Sequence, residues 1–286
     1  GDSGDGMQLA GNIFSTVSAT VGNDISTFPD YPADIRAPQG SLTGVSGFQV
    51  HIGANKVYTP GDKCDVLVAM NAAALKTQYK FAKSTACIII DPDAFQKSDL
   101  EKAAFKTDDP IEEMGIKQDV IAAPISKMVK DCLADTGMDN KSMLKCRNMF
   151  AVGLVCWLFN RDLTIAEDFI REKFAKKPEI AEANIKVIRA GYDYGHNTHA
   201  SVAHTYKIES KVKTPGRYMD ITGNKATAYG FIAAAEKAGL KLYLGSYPIT
   251  PATDVLHELS KHKSLGVMTV QCEDEISGCA SAVGAS

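Results

Sequence analysis

Three continuous apolar runs, Cys64–Met70, Ala86–Ile90 and Asp119–Ile125, punctuate the first half of the chain, separated by polar or helical pattern. Short runs of this kind read as strands buried on both faces and predict a parallel sheet with covering helices. Asn71–Lys80 and Ser126–Thr136 supply two of those helices. Asn148–Asn160 is a strongly apolar helix with Phe150, Leu154 and Trp157 on one stripe, a core element. Thr164–Phe174 and Glu179–Ala190 are charged and amphipathic, separated by Lys176-Lys177-Pro178, with acids and bases forming a solvated face supported by i,i+4 pairs. Phe48–Ile52 alternates apolar and polar residues, and Lys56–Thr59 follows across Gly53-Ala54-Asn55. That pattern predicts a hairpin or strand pair at a sheet edge.

Beyond a polar stretch, Lys207–Thr222, the pattern restarts with a helix from Gly223 through Ala238. The order is then strand, turn, helix, strand, helix. Val255, Leu256 and Leu259 mark a short amphipathic helix, and Leu265–Val270 a strand that ends at Gln271. Pro248 and Pro251 bracket Thr250, push Tyr247 and Thr250 out of helical geometry, and hold a hydroxyl on a stiff turn. Glu273, Asp274 and Glu275 open a helix of small residues, Ser277–Ser286, which has too little bulk to keep a neighbouring backbone or a flat ligand at a distance. Acids at a helix start also have a plain structural reading, since the helix dipole stabilises each by about 0.3–1 kcal/mol.

Composition narrows the classes. At 286 residues with net charge −3, the chain has room for a large core and more than one domain, and no run of Lys and Arg interleaved with aromatics that would suit nucleic acid. No apolar stretch approaches the roughly 18 residues that span a bilayer, and no signal peptide is visible, so a cytoplasmic protein is expected. The seven cysteines include no C-x-x-C pair, which argues against a zinc site or cluster held by this chain. They read as small buried hydrophobes in a reducing compartment. His196, His199 and His204 lack a carboxylate at matching helical spacing, and GYDYGHNTH reads as a Gly-Asn-rich loop with no metal.

GDSGDGMQLAG, at residues 1–11, sets close glycines before a helix carrying Leu9, Ile13 and Phe14. It is either a phosphate-binding strand-to-helix loop or a plain tight turn; Asp2 and Asp5 would repel a pyrophosphate. Arg36, in the Pro- and Gly-rich segment 29–47, either grips an anion or pairs with Asp34 or Asp30. Both chain ends look cut, which suggests one domain plus a fragment.

Three motifs recur together: GN-x-A at Gly223–Ala226, YPITP at Tyr247–Pro251 and Q-x-EDE at Gln271–Glu275. With them the second region resembles the α subunit of 2-oxoacid:ferredoxin oxidoreductases, in particular the 2-oxoglutarate type. GDSGDG with QLAG, PADIRAP with GVSGFQVH, VAMNAAALK, and NMFAVGL with KKPEIAEAN resemble the γ domain of the same family, fused ahead of the α domain. The fold class implied is α/β: a Rossmann-like γ-type domain with a mainly parallel sheet at 1–206, a linker at 207–222, and the incomplete start of a thiamine-diphosphate fold's pyrimidine-binding domain at 223–286.

The resemblance implies that Thr250 contacts the 2-oxoacid and that Glu275, with Glu273 as the fallback, hydrogen-bonds N1′ of the cofactor's aminopyrimidine. Such a glutamate should be buried, with its pKa raised by desolvation. The complete assembly would oxidatively decarboxylate a 2-oxoacid, with coenzyme A taking the acyl group and ferredoxin the electrons. A β subunit would share the thiamine diphosphate and hold the Mg²⁺ and the iron–sulfur cluster, and this chain alone would not turn over. Two other readings stay open: an NAD(P)-dependent dehydrogenase, resting on the Gly-rich opening and the parallel sheet, and a non-catalytic scaffold that shapes the subunit interface and the approach of coenzyme A.

Overall fold

The glycine-rich opening feeds helix α1 (Met7–Thr20), whose Ile13, Phe14 and Val17 are buried as their spacing predicts. The computed structural model describes residues 1–34, 37–199, 205–210 and 216–286. Arg36 and His204 therefore lie outside the described residues. Two units, Gly1–Gly216 and Arg217–Ser286, divide the chain.

In the first unit β1 (Asp24–Asp30) pairs antiparallel with β2 (Gly47–Gly53), Ile25 opposite Ile52. This pair is a separate two-stranded sheet, not an edge of the parallel one. Lys56–Thr59 is not its second strand, contrary to the sequence pattern. Side chains of β2 hold the segment that follows: the Gln49 amide donates to the Pro60 carbonyl at 2.6 Å, and His51 Nδ1 lies 2.7 Å from the Thr59 carbonyl. Pro60 has no N–H to offer a ladder.

The parallel sheet follows the apolar runs. Next in the chain come β3 (Cys64–Ala69), α2 (Ala72–Gln78), β4 (Ala82–Ile90), α3 (Lys97–Lys102), α4 (Pro110–Glu113), β5 (Asp119–Ala122), α5 (Ile125–Leu133) and α6 (Asn140–Leu144). The strand order is β3-β4-β5, with all pairings parallel. Successive side chains of β4 enter opposite cores. Ile89 joins Ile13, Ile121, Val129 and Leu154 on one face. Ile88 and Ile90 join Leu75, Leu100 and Phe105 on the other. Burial on both faces is the physical reason the second half of β4, Ala86–Ile90, is a continuous apolar run, while Lys83, Ser84 and Thr85 lie at its less buried start.

Helices α7 (Arg147–Leu158), α8 (Thr164–Lys173) and α9 (Pro178–His199) complete the unit. The stretch read as a Gly-Asn-rich loop is instead the last turns of α9. Its glycines let that helix approach α7 backbone to backbone: a Cβ on Gly191 would overlap the Phe150 carbonyl oxygen, and one on Gly153 the Ile188 carbonyl oxygen. Glycine costs a helix roughly 0.5–1 kcal/mol relative to alanine; close packing offsets that here, and local pattern alone does not reveal it. The expected solvated face is present, with Glu167 bound by Arg171 and, from the next helix, by Arg189 at 2.6 Å. Tyr206 ties the chain that leaves α9 back onto this unit, through its N–H to the Leu158 carbonyl at 2.7 Å and its ring stacked on Phe159.

The second unit runs α10 (Gly223–Ala238), β6 (Leu242–Ser246), α11 (Thr253–Leu259), β7 (Val267–Gln271) and α12 (Glu275–Ala285). Thr222 caps α10 through the Lys225 N–H, and Gly239 ends it in left-handed geometry. β6 and β7 pair in parallel and in step, Leu242 with Val267 and Ser246 with Gln271. Ala228, Leu259 and Val267 form a small core with Leu242, Leu244 and Val255 against it.

The cysteines depart in part from the sequence reading. All seven are unpaired, but only Cys146 and Cys156 are buried, and Cys279 is exposed. Among the described residues no helix is long and apolar enough to cross a membrane, and no group of His, Cys, Asp and Glu is arranged to hold a metal ion.

Candidate functional site

Parallel strands release their loops at one end, and ligands of open α/β sheets gather there. In the second unit β6 and β7 stop level with each other at Ser246 and Gln271. The Cys272 N–H donates to the Ser246 carbonyl at 2.6 Å, which starts the two outgoing loops side by side. One loop carries Thr250 and the other the acidic cluster, so the fold brings these sequence-predicted elements to one end of one small sheet.

The turn carrying Thr250 is closed by its neighbours. The Thr253 hydroxyl accepts from the Ile249 N–H at 2.7 Å and donates to the Ile249 carbonyl at 2.8 Å. From α10, the Asn224 amide donates to the Pro251 carbonyl at 2.9 Å. The Thr250–Pro251 peptide is cis. Thr250 is exposed, and its hydroxyl has no hydrogen-bond partner among the described residues.

The acids divide by role. Asp274 is the N-cap of α12, accepting from the Ser277 N–H at 2.8 Å, and that bond holds its carboxyl below the usual range. Glu273 and Glu275 are exposed and make no hydrogen bond or ion pair among the described residues. Burial of Glu275, expected from the sequence, is therefore not supplied by this chain: α12 turns Ile276 and Val283 to solvent beside it. Gly278, one helical turn on from Glu275 and on the same side, lies against Gly245 and Ser246. Glu275 thereby sits toward the end of β6 from which the Thr250 loop departs. A Cβ on Gly245 would overlap the Ser281 hydroxyl and meet the Gly278 carbonyl oxygen at 2.7 Å, so the glycine of the strand sets how closely α12 rests on it.

The first unit repeats the topology with different chemistry. A cavity of about 560 Å³ opens at the carboxyl ends of β3, β4 and β5, with Asp2, Asn71, Ser126, Lys102, Lys130 and Arg147 in its wall. Beneath it the acids are matched. Asp2 accepts from the Asn71 amide at 3.0 Å and the Gly40 N–H at 3.1 Å, while Arg147 pairs with Asp5 at 2.7 Å. Fully buried Asp91 accepts from the Ser126 hydroxyl at 2.6 Å. Burial raises the pKa of Asp91 despite these bonds; burial, and then the Asp5 charge, raise that of Asp2. Both aspartates of the GDSGDG loop are thus committed to protein partners. Arg147, which sequence reasoning missed, is the counter-charge; its position at the start of an apolar helix gave no signal of that role.

Residues 1–194, more than half of the chain, match the family model described as pyruvate ferredoxin/flavodoxin oxidoreductase. The chain belongs to this family. Residues 233–286 match the model for the thiamine diphosphate-binding part of pyruvate flavodoxin/ferredoxin oxidoreductases. The resemblance drawn from GN-x-A, YPITP and Q-x-EDE is thereby borne out, as is the α/β class. Over 287 residues the chain is 47% identical to the 2-oxoglutarate oxidoreductase subunit KorA of Mycobacterium tuberculosis, covering 100% of this chain and 44% of the relative. It is 20% identical over 321 residues to subunit alpha of 2-oxoacid:ferredoxin oxidoreductase 2 from Aeropyrum pernix, covering 100% of this chain and 48% of that one. Among solved structures, the 2-oxoglutarate:ferredoxin oxidoreductase of Magnetococcus marinus, with 2-oxoglutarate, coenzyme A and succinyl-CoA bound, matches with a TM-score of 0.70 and 25% identity, over 100% of this chain and 44% of that chain. This oxidoreductase family member spans about half the length of the relatives it matches.

Proposed function

We propose that this chain is part of the α subunit of a 2-oxoglutarate:ferredoxin oxidoreductase and contributes the pyrimidine side of a thiamine diphosphate site. The observation that carries the reading is the exposed pair of elements at the ends of β6 and β7: a hydroxyl without a partner at Thr250 and an uncommitted carboxylate at Glu275. The donor set fits the cofactor's aminopyrimidine. Asp274 is occupied with the cap, while Glu275 keeps its oxygens available for a ring N–H, and the small residues of α12 leave room for a flat ring. When bound, thiamine diphosphate supplies an electron sink for the loss of carbon dioxide from a 2-oxoacid. Glu275 shares a proton with N1′ of the aminopyrimidine, which is acid–base work at a fixed atom. Glu273 takes that role if Glu275 does not. Thr250 donates its hydroxyl to the shared 2-oxo end of the substrate.

A β subunit covers the exposed side of α12 and lowers the dielectric around Glu275. It also contributes the Mg²⁺ and the iron–sulfur cluster, for which the described residues offer no ligand group. Ferredoxin accepts the electrons. Coenzyme A takes the acyl group. The cavity of the first unit balances Lys102, Lys127, Lys130 and Arg147 against Asp2, Asp93, Asp99 and Asp131, so its charge gives phosphates no preference there.

The deciding experiment is reconstitution of the full-length subunit with its β partner, followed by 2-oxoglutarate-dependent ferredoxin reduction with coenzyme A. Turnover that requires the β subunit and thiamine diphosphate supports the reading. Turnover with NAD(P) and no β subunit overturns it.

A further inference from the structure

We propose that Asn224 is a positioning residue for the 2-oxoacid, acting through the backbone that carries Thr250. The inference rests on the reading of Thr250 as a substrate contact. Asn224 is the second residue of α10, beside the N-cap position where a polar side chain serves the helix start. That task is already done by Thr222, whose hydroxyl accepts from the Lys225 N–H at 3.3 Å. Asn224 instead sends its amide out of the helix to the carbonyl of Pro251, the residue immediately after Thr250.

The receiving turn is stiff but needs an anchor. Thr253 brackets Ile249 through its hydroxyl and its own N–H, and the Asp254 N–H donates to the Pro251 carbonyl at 3.2 Å, so residues 249–254 move as one piece. Those bonds are internal to the piece and do not set where it lies. Ser246 fixes one end at β6 and α11 continues from the other, while Asn224 adds a cross-tie from a third element. The Thr250 side chain makes no bond of its own among the described residues, so the backbone alone aims its hydroxyl. A turn that loses its cross-tie points that hydroxyl less well at the substrate, which weakens one binding hydrogen bond and leaves the reacting groups untouched. The cross-tie also gives the GN-x-A and YPITP motifs a physical link: the first holds the second.

The test uses the full-length subunit assembled with its β partner, with 2-oxoglutarate as the probe. Asn224→Ala places the strongest helix former in α10, so a purely helical role predicts no loss of stability. Loss of one hydrogen bond that orients a substrate contact is expected to raise KM for 2-oxoglutarate roughly 3- to 10-fold, with kcat within about 2-fold. Thr250→Val should raise KM as well, and the double variant should fall short of the product of the two effects because both act through one hydroxyl. A KM effect for Thr250→Val without one for Asn224→Ala overturns the positioning role and leaves the site reading standing, as does a double variant showing the full product. Thr250→Val with an unchanged KM overturns both.

Discussion

The two units present acids at the same place, the carboxyl ends of parallel strands, in opposite condition. In the first, Asp5 and Asp91 are matched by Arg147 and Ser126 beneath a cavity. In the second, Glu273 and Glu275 stand exposed without partners, and only Asp274 is occupied. A buried carboxylate must be paired because desolvation costs several kcal/mol per ion. An exposed one keeps its hydrogen-bonding capacity for a ligand and a partner chain. The acids that look most like a phosphate-loop motif in the sequence therefore build structure, and those that look like a helix-start cluster are the chemical candidates.

The largest effects should separate the two groups. Glu275→Gln in the assembled complex is expected to lower kcat by roughly 100- to 10,000-fold, with folding stability changed by less than about 0.5 kcal/mol. Steady-state ferredoxin reduction beside thermal denaturation measures both. Full activity in Glu275→Gln, with the loss appearing in Glu273→Gln instead, would move the role to the fallback residue. Arg147→Met should do the reverse. It leaves the Asp5 carboxylate without its counter-charge, held by the Asp2 N–H at 2.9 Å, and is expected to destabilise the first unit by up to about 3 kcal/mol, read as a lowered denaturation midpoint.

Gly245→Ala tests the floor between the two loops of the second unit. Its Cβ would meet the Gly278 carbonyl oxygen at 2.7 Å. Lifting α12 off β6 should cost about 1–3 kcal/mol and weaken thiamine diphosphate binding, which calorimetry on the complex would show. Gly278→Ala, whose Cβ finds its nearest neighbour at 3.6 Å, should be tolerated.

The smallest effect is a pH slope. Glu258 is held at about 2 by hydrogen bonds from Lys261 and then His262 and Tyr229. A depressed carboxylate stabilises above its unfolded value of 4.5 and loses that contribution as pH falls through about 2. The stability gap between parent and Glu258→Gln should therefore be present at pH 7 and close toward pH 2. Asp91, raised above 3.8 by burial, should give the opposite slope: parent loses ground to Asp91→Asn as pH rises from 3.8. Denaturant titrations at stepped pH would show slopes of the same sign if the Asp91 carboxyl were ion-paired as Glu258 is.

Much of this was legible from local pattern. The apolar runs marked β3, β4 and β5 to within a few residues, and the start and end of α10 were read correctly, because burial on both faces and helix capping act through residues close in sequence. The family of the second region was legible through the motifs that contain Thr250, Glu273 and Glu275. Other features were not. The last turns of α9 looked like a loop because Gly191 and Gly195 are poor helix formers, and only α7 explains the choice, with the Phe150 backbone against Gly191 and the Trp157 ring against Gly195. Asn224 looked like part of a helix start, and Arg147, just ahead of the apolar run from Asn148, carried no local signal of its pairing with Asp5.

What the sequence by itself determined was the parallel strands β3, β4 and β5, the order of elements in the second unit and the family. Tertiary structure decided which acids are spent on partners, which stay open, and what holds Thr250 in place. Those outcomes depend on groups far apart in the chain, such as Arg147 with Asp5 and Asn224 with Pro251. Local propensity carries no information about pairings that exist only after the chain has closed on itself.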